Sequence, residues 1–255
     1  DYTQVVHGGG HGEYHLIVLA PASVQEAVDL TTMAFDIAEK YRMVVCLLLD
    51  GFIGQMMEPV ELPEFKPVRT TPPAWAIGSP DSKGQVVLTS INIDPPTQER
   101  FNVKMMTRWQ EVEKNEVRYK GYFLDDAEYV VISYGTAGRI SLSAVRASRE
   151  QGLKIGLVRP ISLSPFPAKV VDELADRVKG FLVVEMSNGQ MLDDIISIVA
   201  RRVPVEFYGR MGGMVPYPDE ISNAISALVN GKHDVNIDAR AEWLAGLREL
   251  VGTGE

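Results

Sequence analysis

The stretch Tyr129-Val130-Val131-Ile132-Ser133-Tyr134 is a short apolar run that leads through a Gly135/Gly138 turn into a helical segment ending near Arg149. Three further apolar runs follow at similar spacing: 154–158, 180–185 and 205–208. Helical segments separate them, and short strands that alternate with helices form right-handed β-α-β units around a parallel sheet. The sequence therefore predicts an α/β domain over residues 123–232.

Two helix starts in this domain carry local signals. Pro165 and Pro167 precede one helix, and proline is common at helix N-termini. Ser187 and Gln190 have the spacing of a capping box, in which the serine hydroxyl accepts from the N–H three residues later. We expect that box to open a helix over 191–201, and the last helix of the domain to span 218–229.

A shorter β-α-β block comes first. Leu16–Ala20 predicts a strand, and Ser23 with Glu26 forms a capping box that opens a helix. One set of residues recurs at helical spacing and predicts its buried stripe: Val24, Ala27, Val28, Thr31, Ala34 and Ala38. The run Met43–Leu49 is apolar at every position, which is typical of a strand buried on both faces. It ends at Asp50–Phe52, where open α/β sheets place ligand loops.

The two blocks are joined by a different kind of sequence. Prolines are frequent between residues 58 and 97, which indicates an extended linker: Pro59, Pro63, Pro67, Pro72, Pro73, Pro80, Pro95 and Pro96. A helical arm is expected over 101–117, with one face formed by Phe101, Met105, Trp109, Val112 and Glu116. The tail, 233–255, predicts a short amphipathic helix that packs on this chain or on a partner.

Composition excludes several classes of protein. Of the 255 residues, 45% are hydrophobic and 23% charged, as in globular proteins, and the net charge is −9. A nucleic-acid-binding surface needs an excess of Lys and Arg, so such a partner is not expected. No apolar run reaches the length of about 20 residues that spans a bilayer. Cys46 is the one cysteine, which excludes an internal disulfide and a cysteine-ligated iron–sulfur cluster in this chain. We expect a soluble cytoplasmic protein.

The N-terminal segment is rich in glycine and histidine. His7, His11 and His15 are four residues apart, but the glycines between them each disfavour a helix by about 1 kcal/mol. A ligand- or partner-facing loop, a plain surface and a metal site therefore all stay open, the metal site being the weakest of the three. A dinucleotide fingerprint follows a strand, whereas the loop Gly8–Gly12 precedes one, although its amides could still approach an anion.

Few other motifs point to chemistry. There is no G-x-S-x-G, Walker or C-x-x-C motif. Asp50 and Glu58 flank the loop Gln55-Met56-Met57, which is either a structural turn or an interface loop. The stretch Gly209–Gly213, which contains Arg210 and Met211, is expected to be a flexible loop at the functional edge of the sheet.

An ordered set of motifs resembles the alpha subunit of 2-oxoacid:ferredoxin oxidoreductases. Most similar to its 2-ketoisovalerate (3-methyl-2-oxobutanoate) branch are His7-Gly8-Gly9-Gly10-His11-Gly12-Glu13-Tyr14 and Gly54-Gln55-Met56-Met57-Glu58-Pro59-Val60. The others are Ile17–Pro21, Ser23–Ala27, Asp50–Phe52, Asp125–Glu128, Ser133–Gly135, Leu157–Pro160, Pro165–Pro167, Val184–Ser187 and Gly189–Met191. The resemblance covers nearly the whole chain.

The resemblance implies an α/β fold in which a partial thiamine-diphosphate pyrimidine-binding domain (1–57) is followed by a transketolase C-terminal-like parallel β-sheet domain (123–232). A linker and arm (58–122) and a C-terminal helix (233–255) complete the expected organisation. It implies oxidative decarboxylation of a 2-oxoacid with coenzyme A to an acyl-CoA, with electrons passing to ferredoxin. The resemblance also implies that thiamine diphosphate and magnesium are shared with or bound by a partner: the alpha chain binds the aminopyrimidine end, a beta subunit binds the diphosphate and magnesium, and a ferredoxin-like subunit carries the iron–sulfur clusters.

One departure from the family is that the first half of the pyrimidine-binding domain is not found here. We therefore assign no catalytic residue and no metal ligand, and we expect the isolated chain to be inactive. The residues expected to face the cofactor or a partner are Gly8, Gly9, Gly10, His11, Gly12, Glu13, Asp50, Gly51 and Phe52. The alternatives are a non-catalytic transketolase-C-like scaffold and a different α/β enzyme that binds a small anion at Gly8–Gly12.

Overall fold

The computed structural model describes residues 1–8, 12, 14–65, 67, 70–81, 89, 91–231 and 233–252. The strands are β1 (Ile17–Leu19), β2 (Val45–Leu47), β3 (Tyr119–Tyr122), β4 (Tyr129–Ile132), β5 (Ile155–Pro160), β6 (Ser162–Ser164), β7 (Gly180–Glu185) and β8 (Val205–Gly209). The helices are α1 (Tyr2–Val6), α2 (Val24–Tyr41), α3 (Gly51–Gln55), α4 (Pro95–Asn115), α5 (Gly135–Glu150), α6 (Ala168–Ala175), α7 (Gln190–Val199), α8 (Pro218–Asn230) and α9 (Ala239–Val251). Among the described residues, no helix combines the length and the apolar character needed to cross a membrane.

The larger sheet has five strands in the order β3-β5-β4-β7-β8. The four strands β5, β4, β7 and β8 are parallel, as the sequence predicts. Within the sheet, Val131 lies opposite both Leu157 and Leu182. Every residue of β5 and β7 is buried, because helices cover both faces of the sheet. The predicted α/β fold is confirmed. The antiparallel edge strand β3 was not predicted, since three of its four residues are exposed.

The smaller sheet has three strands in the order β2-β1-β6. β1 pairs in parallel with β2 and antiparallel with β6, where the register shifts between Val18 and Leu19. Only Ile161 separates β6 from β5 of the larger sheet, so the chain passes directly from one sheet to the other. The two sheets are therefore tied together by the backbone as well as by side chains.

The prediction that Met43–Leu49 is buried on both faces is wrong. β2 is the edge strand of the smaller sheet and all three of its residues are only half-buried. Val44 beside it is 65% exposed. An apolar run shows that a strand is suited to burial on both faces. In the described part of this chain, however, nothing covers the outer side of β2.

Helix α2 begins as predicted but buries a different face. The Ser23 hydroxyl accepts from the Glu26 N–H at 3.1 Å, although the Glu26 carboxylate accepts from Ala22 N rather than closing the box on Ser23. The buried residues are Leu30, Ile37 and Tyr41. The predicted stripe is wrong: its members are half-buried, apart from Thr31, which is exposed. The larger side chains of the helix, rather than its alanines, fill the core with β1.

The linker and arm agree broadly with the sequence. The described residues between Glu58 and Asp94 form neither helix nor strand. Helix α4 begins at Pro95 rather than near Phe101, because Asp94 caps it by accepting from Thr97 N at 3.1 Å. The predicted inner face is confirmed at Val112, which is buried.

The two ends of the chain pack on the larger sheet. Trp243 of α9 donates from Nε1 to the Gly209 carbonyl at 2.9 Å and its ring meets the edge of Phe207. The C-terminal helix therefore packs on its own chain, which the sequence leaves open. The short helix α1, which was not predicted, lies against α7 and buries Tyr2.

Candidate functional site

A cleft lies at the carboxyl edge of the larger sheet. β4 is flanked by β5 on one side and β7 on the other, so the helices that follow these strands diverge at this point, where open α/β sheets bind ligands. The cleft holds about 160 Å³. Its lining comes from the ends of β2, β4 and β7 and from the N-terminus: Asp1, Tyr2, Leu48, Leu49, Asp50, Tyr134, Gly135, Ala137, Met186, Ser187 and Gln190.

Asp50 joins the two sheets at this cleft. One carboxylate oxygen accepts from Phe52 N at 3.1 Å and Ile53 N at 3.0 Å, which caps α3. The carboxylate also accepts from Thr136 N at 2.9 Å and from the Thr136 hydroxyl at 2.7 Å, at the start of α5. A negative charge at a helix N-terminus is stabilised by the unpaired amides there. Asp50 therefore occupies the anion site that α5 would otherwise offer to a ligand.

Glu185 likewise accepts from backbone amides at the start of α7. Its carboxylate, fully buried at the end of β7, accepts from Met191 N at 3.1 Å, Leu192 N at 2.9 Å and the Ser187 hydroxyl at 2.9 Å. Burial raises the pKa of this carboxyl, although these hydrogen bonds act in the opposite direction. The predicted capping box is found only in part: the Ser187 hydroxyl accepts from Gln190 N at 3.4 Å, but the Gln190 side chain accepts from Thr3 N and the next two amides of α7 donate to Glu185. The helix begins after Gly189, which is in a left-handed conformation.

Two tyrosines form an aromatic wall. The rings of Tyr2 and Tyr134 are 5.7 Å apart, and the Tyr2 hydroxyl donates to Asp194 at 2.6 Å. Burial and the Asp194 charge raise the pKa of Tyr2, and burial with the charges of Glu185 and Asp50 raises that of Tyr134. Both phenols are therefore neutral hydrogen-bonding groups at physiological pH.

The structure separates the residues that the sequence singles out. Asp50 lines the cleft, and Gly51 and Phe52 line a groove that adjoins it. Gly8 has a positive φ and lies near the Tyr14 ring, and neither it nor Gly12 is among the lining residues of the cleft. Gly9, Gly10, His11 and Glu13 lie outside the described residues.

The histidines do not converge where the structure describes them. His7 pairs with Asp194 at 2.9 Å, and His15 stacks on Trp109 with 4.5 Å between ring centroids. Within the described ranges, no group of three His, Cys, Asp or Glu side chains could hold a metal ion.

Sequence reasoning missed part of the cleft wall. Tyr134 is the last residue of the predicted strand 129–134, and Met186 directly follows the predicted strand 180–185, so the rule of carboxyl-end ligand sites would have found both once the strand order was known. Tyr2 carries no such signal, because α1 is held mainly by contacts with α7, far away in the sequence.

Two family models match consecutive parts of the chain. Residues 1–119 match the model described as pyruvate flavodoxin/ferredoxin oxidoreductase, thiamine diphosphate-binding. Residues 127–221 match core domain II of pyruvate:ferredoxin oxidoreductase. The ketoisovalerate oxidoreductase subunit VorB of Methanothermobacter thermautotrophicus is 45% identical over 213 residues, which are 84% of this chain and 60% of that protein. The chain belongs to the 2-oxoacid:ferredoxin oxidoreductase family.

Further members of the family agree. VorB of Methanothermobacter marburgensis is 43% identical over 92% of this chain and 66% of its own length. A solved 2-oxoglutarate:ferredoxin oxidoreductase from Magnetococcus marinus superposes with a TM-score of 0.71, at 20% identity, over 89% of this chain and 44% of that chain. The fold is thus that of the family, while the chain spans 60% to 66% of the length of these two VorB relatives.

The family implies thiamine diphosphate as a cofactor, so groups that could hold its diphosphate are expected near the cleft. Thr136 N at the start of α5 and the Met191 and Leu192 amides at the start of α7 already donate to Asp50 and Glu185, so these three amides are not free for a diphosphate. At these two helix starts the chain's own carboxylates therefore take the place of a diphosphate. Tyr2, Tyr134, Leu48 and Met186 instead offer an aromatic and apolar wall.

Proposed function

We propose that this chain is the alpha subunit, or part of it, of a thiamine-diphosphate-dependent 2-oxoacid:ferredoxin oxidoreductase. The complex oxidises a 2-oxoacid in the presence of coenzyme A. The carboxylate leaves as carbon dioxide, the acyl group forms a thioester with coenzyme A, and two electrons pass to ferredoxin. The observation that carries the proposal is the 45% identity with VorB over 84% of the chain.

The proposed substrate is 2-ketoisovalerate (3-methyl-2-oxobutanoate). Identity falls from 45% with a VorB subunit to 30% with the 2-oxoglutarate synthase subunit KorA of Methanothermobacter marburgensis. 2-Oxoglutarate and pyruvate are the alternative substrates. 2-Oxoglutarate carries a second carboxylate, which would need a cationic partner in the assembled site, whereas a branched aliphatic chain needs apolar surface.

The proposal divides the cofactors among several chains. The diphosphate and magnesium are assigned to a beta subunit, which is supported by the Asp50 and Glu185 carboxylates that accept from amides at the starts of α5 and α7. The iron–sulfur clusters are assigned to a ferredoxin-like subunit, since one cysteine cannot ligate a cluster. This chain contributes one side of the site, where the loops Gly8–Glu13 and Asp50–Phe52 are proposed to face the cofactor or a partner.

Within this assignment, the proposed organisation is a partial pyrimidine-binding domain at 1–57, a linker and arm at 58–122, a transketolase C-terminal-like domain at 123–232 and a C-terminal helix at 233–255. The break at 122 is proposed for the sequence only. In space, β6 from the second segment completes the sheet of the first.

The second candidate is a non-catalytic transketolase-C-like scaffold. Asp50 and Glu185 favour it to the extent that both are satisfied by the chain's own amides and point to structural roles. A scaffold would organise the other subunits without contributing to the cofactor site. The two candidates differ in whether changes at the cleft alter turnover in an assembled complex.

The test is reconstitution. The chain is co-expressed with beta and ferredoxin-like subunits of this family, and ferredoxin reduction is followed with 2-ketoisovalerate, 2-oxoglutarate and pyruvate. We expect turnover with coenzyme A only in the complex, and the highest kcat/KM with 2-ketoisovalerate. Micromolar binding of thiamine diphosphate to the isolated chain in calorimetry would contradict the proposed division. A complex that is equally active without this chain would favour the scaffold.

A further inference from the structure

The C-terminal helix α9 extends one side chain onto the loop between β7 and α7, residues 186–189, which we call the β7–α7 loop. Arg240, in the first turn of α9, donates from Nε to the Asn188 carbonyl at 2.7 Å and from Nη2 to the Gly189 carbonyl at 2.6 Å. Nη2 also donates to Asp193 Oδ1 at 2.8 Å. A planar guanidinium can make several such bonds at once, because its N–H groups point in fixed directions. Arg240 therefore holds two consecutive backbone carbonyls of a loop that is far away in the sequence.

The backbone of the β7–α7 loop is shaped to meet this arginine. Gly189 has a φ of +93°, and a Cβ there would lie 3.1 Å from Arg240 Nε, so a side chain at this position would strain the backbone and displace the guanidinium. Trp243 lies three residues further along α9, on the same face, and donates from Nε1 to the Gly209 carbonyl at 2.9 Å. Two side chains thus attach α9 to the carboxyl ends of β7 and β8.

The loop that Arg240 holds forms one wall of the cleft, which Met186, Ser187 and Gln190 line. Gln190, the first residue of α7, accepts through Oε1 from Thr3 N at 3.0 Å and from the Thr3 hydroxyl at 3.3 Å. Thr3 belongs to α1, whose Tyr2 lines the cleft as well. A continuous set of contacts therefore runs from α9 through the β7–α7 loop to α1.

We propose that Arg240 is a positioning residue for the proposed reaction: it holds the β7–α7 loop, and through Gln190 the helix α1, in the arrangement that shapes the cleft. This inference rests on the proposed function. It gives the C-terminal helix a part in turnover, although no described residue of α9 lines the cleft. Groups that form a site act well only when they are held close to their working geometry, so a bond behind the wall can change the rate without touching the ligand.

The alternative is an ordinary surface ion pair between Arg240 and Asp193. These side chains are 37% and 64% exposed, and pairs as exposed as this contribute little. Lysine at position 240 separates the two interpretations, because it keeps the charge but cannot donate to both carbonyls and the carboxylate with the planar geometry of a guanidinium. If only the ion pair mattered, Arg240→Lys would behave as the wild type.

The experiment measures ferredoxin reduction with 2-ketoisovalerate in the reconstituted complex. We expect Arg240→Ala to lower kcat/KM about tenfold or more, and Arg240→Lys to lie between this variant and the wild type. Arg248→Ala removes an exposed arginine from the last turn of the same helix, and as the matched control it should leave kcat/KM within twofold. Thermal unfolding of each chain and size-exclusion chromatography of each complex check that the fold and the assembly are kept.

Two further readouts separate positioning from a general loss of stability. Arg240 lines a surface pocket of about 310 Å³, so added guanidinium can reach the space that Arg240→Ala leaves. Guanidinium at millimolar concentration should restore part of kcat/KM in this variant, whereas sodium chloride at the same ionic strength should not. Gln190→Ala breaks the next contact in the set, and the double variant should lose no more than the larger single loss, because effects that share one contact path do not add.

Additive losses in the double variant would show that Arg240 does not act through the β7–α7 loop, and the proposed function would stand. The same holds if Arg240→Ala or Arg240→Lys matches the wild type, or if guanidinium restores no more activity than sodium chloride. If the wild-type complex reduces no ferredoxin with 2-ketoisovalerate, 2-oxoglutarate or pyruvate, the proposed function fails and this inference fails with it.

Discussion

Glu26 and Arg159 form a two-point ion pair between helix α2 of the first block and strand β5 of the second. Arg159 Nη2 lies 2.6 Å from Oε1 and Nη1 lies 3.0 Å from Oε2. The arginine side chain is 4% exposed, and Lys120 donates to the same carboxylate at 2.6 Å. Burial raises the pKa of Glu26, but hydrogen bonds from Lys120 and Arg159 outweigh it and hold that pKa below its usual range. The pair therefore joins helix α2, which packs on the smaller sheet, to strand β5 of the larger sheet.

Replacing Arg159 by methionine tests this pair. The change leaves the Glu26 carboxylate partly buried with one cation lost, and we expect a loss of about 2–3 kcal/mol in the free energy of unfolding, because breaking a buried pair exposes the cost of the remaining charge. Urea denaturation measures it. Lys120→Met is the control, since its side chain is 51% exposed, and should cost at most about 1 kcal/mol. Equal losses of unfolding free energy in the two variants would show that the buried Arg159 pair stabilises the fold no more than the exposed Lys120 pair does.

Glu116 predicts a pH dependence of stability. It is 3% exposed and accepts from Lys40, the Tyr41 hydroxyl and Arg118 at 2.7–2.9 Å. Burial raises its pKa, yet these hydrogen bonds prevail and the pKa is lowered. A carboxyl with a lowered pKa in the folded state stabilises the fold fully above its unfolded pKa of about 4.3 and loses that contribution as pH falls through its folded pKa.

The corresponding variant is Glu116→Gln. It should be less stable than the wild type at pH 7, and the difference in unfolding free energy should narrow as the pH falls below the unfolded pKa of about 4.3 toward the lower folded pKa of Glu116. Unfolding free energies at pH 7, 5 and 3.5 provide the comparison. Glu249→Gln, at an exposed carboxyl of α9, is the control and should follow the wild type at every pH. A constant gap across this range would show that the Glu116 charge does not act as described.

The larger sheet could be predicted well because its strands are buried on both faces. β7 has the bounds predicted from the run Gly180–Glu185. In a parallel strand covered on both faces, each side chain must be apolar or have its polar group hydrogen-bonded. The same reasoning fails at β2, where an equally apolar run is left at a sheet edge. Periodicity reports what a segment is suited to bury, and the surroundings decide how much of it is buried.

The candidate site could be predicted only in part from the sequence. Asp50 was found because it follows a strand, but its bonds to Thr136 join positions far apart in sequence. β6, the polar segment Ser162–Ser164, pairs with β1 through backbone groups that have no sequence signature. Local capping rules also pointed to Ser187 when a carboxylate two residues earlier, Glu185, was the stronger acceptor for the same helix.

Glu185→Ala should destabilise the fold more than Ser187→Ala. Removing the carboxylate leaves the buried Met191 and Leu192 amides without an acceptor, at a cost of about 2 kcal/mol, whereas the serine contributes about 1 kcal/mol or less. Glu185→Gln, which keeps one acceptor oxygen, should lie between them. Amide hydrogen exchange at Met191 and Leu192, read with urea denaturation, locates the effect. Unchanged protection of both amides in Glu185→Ala would contradict the capping role.

The last prediction concerns two glycines that should respond to alanine in opposite directions. Gly135, which begins α5 at the cleft, has a φ of +58°, and a Cβ there would lie 3.0 Å from Asp50 Oδ2. A left-handed conformation costs a residue with a Cβ about 1–2 kcal/mol, and the contact would also push Asp50 away from Thr136. Gly246 lies inside α9 with open space around its Cβ position.

Gly135→Ala should therefore lower the midpoint of thermal unfolding, and Gly246→Ala should raise it, because alanine favours a helix over glycine by about 1 kcal/mol. In the reconstituted complex, Gly135→Ala should also reduce turnover, since the Asp50 loop forms one wall of the cleft, whereas Gly246→Ala should leave turnover unchanged. A midpoint for Gly135→Ala that equals or exceeds that of the wild type would show that the Gly135 backbone is not strained as described. A lower midpoint with unchanged turnover would instead show that the Asp50–Thr136 contact stabilises the fold without contributing to catalysis.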